Sequence, residues 1–167
     1  TYRAIRDNVE GVIALLQECK NDKEFFLSAR AHDIDENDDV TVATWFIYLN
    51  KTGFNGVYRV NKQNRFNVPF AGHKNPNICN AAALRDCARR LTGVAILEAD
   101  FETVMASAQP QPGDFVYFDP PYVPLSVNSS FTAYTAGGFG MDDQVRLRDV
   151  ALKLKRSGVY VLLSNSS

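Results

Sequence analysis

The stretch Phe115-Val116-Tyr117-Phe118-Asp119-Pro120-Pro121-Tyr122 constrains this chain most. Its apolar run predicts a short buried strand over 115–118. The paired prolines then stop the strand, since each fixes its φ and neither can donate to a ladder. An acidic side chain and an aromatic ring are thereby held on a rigid turn at the carboxyl end of a strand. In open α/β sheets that edge is where ligands bind.

Such a turn suits a particular chemistry. An exocyclic amine on a base is a poor nucleophile because its lone pair is delocalised into the ring. A carboxylate and a proline carbonyl, both acceptors, can take hydrogen bonds from its two N–H groups and localise that lone pair, while Tyr122 stacks on the base. The plainer reading is a Pro-Pro turn that closes a strand beside a surface acid, and the hydrophobic strand ahead of it favours the chemical one. The tetrapeptide resembles the D-P-P-Y motif of amino-methyltransferases that use S-adenosylmethionine, in which a base flipped out of the duplex is methylated on nitrogen. The resemblance implies catalytic roles for Asp119, Pro120, Pro121 and Tyr122, with Asp119 also bordering the cofactor.

A chain of 167 residues with 46% hydrophobic and 22% charged residues is long enough for one domain with its own core. No window approaches eighteen consecutive apolar residues, so no membrane span is predicted. Cys19, Cys79 and Cys87 are an odd number at wide spacings without a C-x-x-C pair. That argues against a zinc site or disulfide framework and makes a reducing cytoplasm the expected setting. Thr1-Tyr2-Arg3 carries no initiator Met and no signal-peptide pattern.

Tyr2, Ile5, Val9, Val12, Ile13 and Leu16 form an apolar stripe that predicts a helix over 2–17. A second helix is expected over Lys23–His32 and a third, with the sole tryptophan Trp45, over Val42–Leu49. The acidic run from Asp33 to Asp39 between them lacks the glycine and closing glutamate of a calcium loop. It reads as a solvated loop that caps the next helix.

From Val40 to Leu84 there is no Asp or Glu, while Lys51, Arg59, Lys62, Arg65 and Lys74 fall in that window. They are interleaved with Phe54, Tyr58, Phe66 and Phe70 and with Asn50, Asn55, Asn61, Asn64 and Asn67. Positive charge without acids favours phosphate, Asn and Arg read base edges, and aromatics can wedge into an opened base step. Gly56–Val60 and Phe66–Phe70 read as two short strands around a polar tip; a merely solvated hairpin is the alternative. The run 49–61, with Arg65-Phe66-Asn67-Val68-Pro69-Phe70, 120–126 and 130–134, is similar to Dam-type DNA adenine N6-methyltransferases. In that family the matching hairpin enters the DNA, which usually carries GATC. The resemblance implies that Arg59 contacts a guanine, that Val57 touches a neighbouring base, and that Phe54 and Asn55 fill the gap around the flipped adenine. It also implies contacts to duplex DNA from Lys51, Asn61, Lys62 and Pro69.

Further along, a helix is expected over Ala81–Leu91, a strand over Val94–Leu97 and a short helix over Phe101–Ala108. Asp100 can cap that helix or accept from the cofactor's adenine amine while Phe101 packs on its ring, and the two roles are compatible. Residues 123–140 read as a mobile loop over the active site; Gly137-Gly138-Phe139-Gly140 lacks the preceding strand of a nucleotide-binding loop. An amphipathic helix over Met141–Arg156 and a strand over Val159–Leu163 complete the chain.

The fold expected is α/β: part of a Rossmann-like methyltransferase sheet with an inserted helical and β-hairpin DNA-recognition region. The predicted division is a catalytic-domain helix over 1–20, target recognition over 21–92 with a hairpin about 54–70, and the catalytic part over 93–167. The family's F-x-G-x-G turn and the acid after its second strand are missing, so these residues are expected to be an inactive piece of a longer enzyme, incomplete at both ends. The implied reaction is methyl transfer to adenine N6 in duplex DNA, with no metal required. A methyltransferase on RNA or on a protein amide, and a DNA-binding remnant, are the other readings.

Overall fold

The computed structural model describes residues 1–34, 37–61, 63–122 and 139–165. Within them Asp22, Asp38, Asn80 and Asp100 each cap a helix by accepting an N–H of its first turn. Short oxygen-bearing side chains favour this position because the first N–H groups of a helix have no internal partner. Lys62 and residues 123–138, which hold most of the expected active-site loop and Gly137-Gly138 of the glycine run, lie outside the described residues. The chain divides into two compact units, Thr1–Ile96 and Leu97–Ser167.

In the first unit, α1 (Tyr2–Glu18) bends at Asn8, whose side chain accepts from the Gly11 N–H at 3.2 Å and so restarts the helix. α2 (Lys23–Ala31) and α3 (Asp39–Thr52) follow, and α4 (Ala81–Leu91) packs on α1. Asp38 begins α3, which confirms the capping role expected of the acidic run and starts the helix three residues early. The core joins Val12 and Leu16 of α1, Phe26 of α2, and Ala43, Tyr48 and Leu49 of α3 to Phe66 and Val68. Each Val, Leu or Phe side chain among them, fully buried, contributes about 1.5–3 kcal/mol relative to exposure. The polar groups that enter this core are satisfied locally: Tyr48 Oη donates to the Lys20 carbonyl at 2.9 Å, and Trp45 Nε1 to that of Ala29 at 2.7 Å. Burial pushes the Tyr48 phenol up to about 12. Tyr2, expected on the buried stripe, is 64% exposed.

The two strands expected around the polar tip are replaced by irregular chain. A 3₁₀ turn covers Phe54–Gly56, and only isolated antiparallel bridges, Gly53 to Phe70 and Val60 to Phe66, join the arms. Positive φ at Gly56 (60°), the first residue of the strand expected over Gly56–Val60, and at Asn55 before it (54°) is incompatible with an extended strand there. Residues 94–97, expected as a strand, pair with no neighbour among the described residues, and Val94 and Leu97 are exposed. Apolar content alone makes no strand, because the backbone needs a ladder partner.

In the second unit, α5 (Phe101–Ala108), β1 (Phe115–Phe118), α6 (Met141–Arg156) and β2 (Tyr160–Leu163) match the expected spans closely. β1 and β2 pair in parallel, with Phe115 opposite Tyr160 and Phe118 opposite Leu163. Leu147 and Leu154 of α6, with Phe118 and Val159, form the core, and Phe101 and Met105 of α5 pack against it. Among the described residues only one sheet face is covered. Side chains alternate along a strand, and Phe115, Tyr117, Tyr160 and Leu162 on the other face are exposed, so β1 is half-covered where a buried strand was expected. The result is a mixed helix and strand fold with a small parallel sheet, consistent with an α/β methyltransferase. No helix among the described residues is long and apolar enough to cross a membrane.

Candidate functional site

β1 ends at Phe118 and delivers Asp119, Pro120, Pro121 and Tyr122 to the carboxyl edge of the parallel pair. Asp119 is exposed, and its Oδ1 accepts from Ser164 Oγ at 2.6 Å. Among the described residues no donor reaches its Oδ2. The Pro121 carbonyl accepts from Gln144 Nε2 at 3.1 Å, and Gln144 Oε1 in turn accepts from Asn165 Nδ2 at 3.0 Å. The Pro120 carbonyl has no such partner among the described residues. Among the described residues the turn therefore leaves one carboxylate oxygen and one carbonyl as open acceptors, with Tyr122, 49% exposed, following in sequence. Two acceptors and a stacking face are what a planar aminated base requires.

At the start of α5, Asp100 Oδ1 accepts from the Glu102 N–H at 2.9 Å and from Arg146 Nη2 at 3.0 Å. The capping role expected of Asp100 is thus realised, and its Oδ2 is left open among the described residues. Arg146 lies on α6 and also binds Glu102 through Nε (3.1 Å) and Asp143 through Nη1 (3.0 Å). Its charged carbon stands 5.0 Å from the Phe101 ring centre, a cation–π distance. Hydrogen bonds that the guanidinium donates to these carboxylates, Glu102 first, raise the Arg146 pKa above its ordinary value. The Gly140 N–H, then Arg146, holds the Asp143 carboxyl below the usual range. Asp100, Phe101 and the Asp119 turn all belong to the second unit.

The expected DNA-reading residues lie in the first unit. Phe54 is 53% and Val57 43% exposed, and Lys51, Asn55, Arg59, Asn61 and Pro69 are exposed as well. Tyr58, between Val57 and Arg59 and 41% exposed, packs its ring 5.4 Å from Phe46 and 5.7 Å from Phe66, and partial burial raises its pKa. Arg59 Nε donates to Asn67 Oδ1 at 2.8 Å and Nη2 to the Asn67 carbonyl at 3.4 Å, which leaves Nη1 pointing away from this contact. Asn61 Oδ1 accepts from the Gln63 and Arg65 N–H groups at 2.9 and 3.0 Å and so shapes the tip. Gly53 fits where a Cβ would stand 2.6 Å from the Leu49 carbonyl oxygen. The acid-free window is less isolated in space than in sequence, because Arg65 pairs with Asp33 at 2.7 Å.

Ser164, Asn165, Gln144 and Arg146 were not singled out by sequence. The register of β1 on β2 brings the first pair to the turn, and side chains from the start of α6 supply the second; neither relationship has a local motif. Among the described residues no three His, Cys, Asp or Glu side chains are grouped to hold a metal ion.

A family model for D12 class N6 adenine-specific DNA methyltransferases matches residues 1–167. The chain is 45% identical over 174 residues to the type II methyltransferase M1.LlaDCHI of Lactococcus lactis subsp. cremoris, covering 99% of this chain and 61% of that protein. It is 40% identical over 178 residues to the type II methyltransferase M.MjaIII of Methanocaldococcus jannaschii, with 99% and 61% covered. Against a DNA adenine methylase of Vibrio cholerae it is 38% identical over 146 residues, with 87% and 52% covered. The chain thus spans a little over half the length of these relatives. It belongs to the D12 class N6 adenine-specific DNA methyltransferase family.

Proposed function

We propose that the protein carrying this chain transfers a methyl group from S-adenosylmethionine to N6 of an adenine flipped out of duplex DNA, within GATC. The observation that carries this reading is the pair of open acceptors, Asp119 Oδ2 and the Pro120 carbonyl, beside the exposed Tyr122 ring. The relatives named DNA adenine methylase support the same substrate.

The two acceptors take the N–H groups of the target amine and draw its lone pair onto nitrogen, while Tyr122 stacks on the extruded base. Gln144 occupies the Pro121 carbonyl, which leaves that of Pro120 for the amine. Asp119 need not be a strong base, because the nitrogen becomes acidic only once methylated. The carboxylate acts first by hydrogen bonding and charge. S-adenosylmethionine supplies the electrophilic methyl group of its sulfonium. The second unit has residues that fit its adenosyl end: the open Asp100 Oδ2 for the adenine amine and Phe101 for its ring. Residues 21–92 would carry target recognition, with Arg59 on a guanine, Val57 on a neighbouring base and Phe54 and Asn55 at the gap. Lys51, Asn61, Lys62 and Pro69 would hold the duplex.

The test is transfer of labelled methyl from S-adenosylmethionine by the full-length protein to duplexes that contain GATC or have its adenine replaced. Label that requires the adenine supports the reading. Label independent of it, or none on either duplex, overturns it.

A further inference from the structure

We propose that Ser164 is a positioning residue for methyl transfer, acting through Asp119; this rests on the function proposed above. The parallel register sets the geometry. Phe118 stands opposite Leu163, and one step on the Ser164 N–H donates to the Phe118 carbonyl at 3.0 Å, continuing the ladder past both strands. Paired residues in such a ladder project to the same face, so the Ser164 side chain stands beside that of Asp119.

The Ser164 hydroxyl has one proton and two acceptors within reach: Asp119 Oδ1 at 2.6 Å and the Phe118 carbonyl at 3.3 Å. The shorter contact, to the charged acceptor, lies in the range of strong O–H···O⁻ bonds and takes the proton. Tyr117, two residues before Asp119 and on the same face, donates its phenol hydrogen to Ser164 Oγ at 3.2 Å. That donation fills a lone pair of the serine oxygen and polarises its own O–H toward the carboxylate. The chain Tyr117 to Ser164 to Asp119 is thus directed one way.

Its consequence is orientation. The terminal torsion of an aspartate is broad and roughly two-fold, so an exposed carboxylate rotates freely unless one oxygen is held. Ser164 is the only described side chain that holds one, and it holds Oδ1. With Oδ1 held, Oδ2 is the oxygen left for the target amine, and the Pro120 carbonyl is the proposed second acceptor. Both must meet the two N–H groups of one planar amine, which tolerates little misalignment.

In the full-length protein Ser164→Ala is expected to lower single-turnover methyl transfer about ten- to a hundredfold, with duplex and S-adenosylmethionine binding within about twofold of wild type. Ser164→Thr, which retains the hydroxyl and suits a strand end, should restore the rate to within about threefold. Tyr117→Phe should give a smaller loss of the same kind, and it carries the test should Ser164→Ala not fold. Undiminished transfer in Ser164→Ala, a loss confined to binding, or an equal loss in Ser164→Thr overturns the positioning role. Wild-type protein that methylates no adenine duplex overturns instead the function on which the role rests.

Discussion

Arg146 Nη2 donates to Asp100 Oδ1 at 3.0 Å and so ties the second turn of α6 to the cap of α5. The same guanidinium lies against Phe101, the aromatic partner proposed for the cofactor's adenine. Loss of this clamp frees both groups without touching Asp119. Arg146→Ala is expected to raise the KM for S-adenosylmethionine about tenfold with a smaller effect on kcat. Arg146→Lys should recover only part, since an ammonium cannot span three carboxylates as a planar fork does. Initial rates across a range of S-adenosylmethionine concentrations check this, and an unchanged KM would contradict it.

Asn67 accepts from Arg59 Nε, and the base readout proposed for Arg59 would use Nη1. Arg59→Ala should therefore cost about 1–3 kcal/mol on the cognate duplex and little on a scrambled one. Lys51→Ala should weaken both alike and reduce the salt dependence of binding. Titrations of the two duplexes at several salt concentrations separate the cases. Equal losses for both duplexes in Arg59→Ala would remove the assignment of base readout.

The Tyr48 phenol is pushed up to about 12 by burial in the first unit's core. An unfolded tyrosine ionises near pH 10, so above about pH 10 the unfolded state binds fewer protons than the native state. The stability this group provides is full below about pH 10 and is lost as pH rises toward its folded value. Urea unfolding from pH 8 to 11 should show a fall that is shallower in Tyr48→Phe. A variant that loses stability as steeply as wild type over that range would show that another group controls it.

Much of this architecture is legible locally. The stripe of Leu147, Val150, Ala151 and Leu154 predicts α6 to the residue, and the Pro-Pro pair ends β1 where the structure ends it. The Asp100 cap is readable for the same reason: its physics lies within a few residues. What sequence misses is long-range. Ser164 meets Asp119 only because β1 and β2 pair in one register, and Gln144 meets Pro121 only because α6 starts beside the turn. The strand expected at 94–97 failed for the complementary reason, since its β-like composition says nothing of whether a partner is present. Positive φ at Asn55 and Gly56 broke the start of the strand expected over Gly56–Val60.

The central claim is that Asp119 directs methyl transfer to adenine N6. It is tested most directly by digesting the DNA product to nucleosides and quantifying N6-methyl-2′-deoxyadenosine for wild type and Asp119→Ala at matched duplex occupancy. The account predicts the modified nucleoside from wild type and none above background from Asp119→Ala, with duplex binding largely intact. Methylation retained in the variant, or label recovered on a different base, would contradict it.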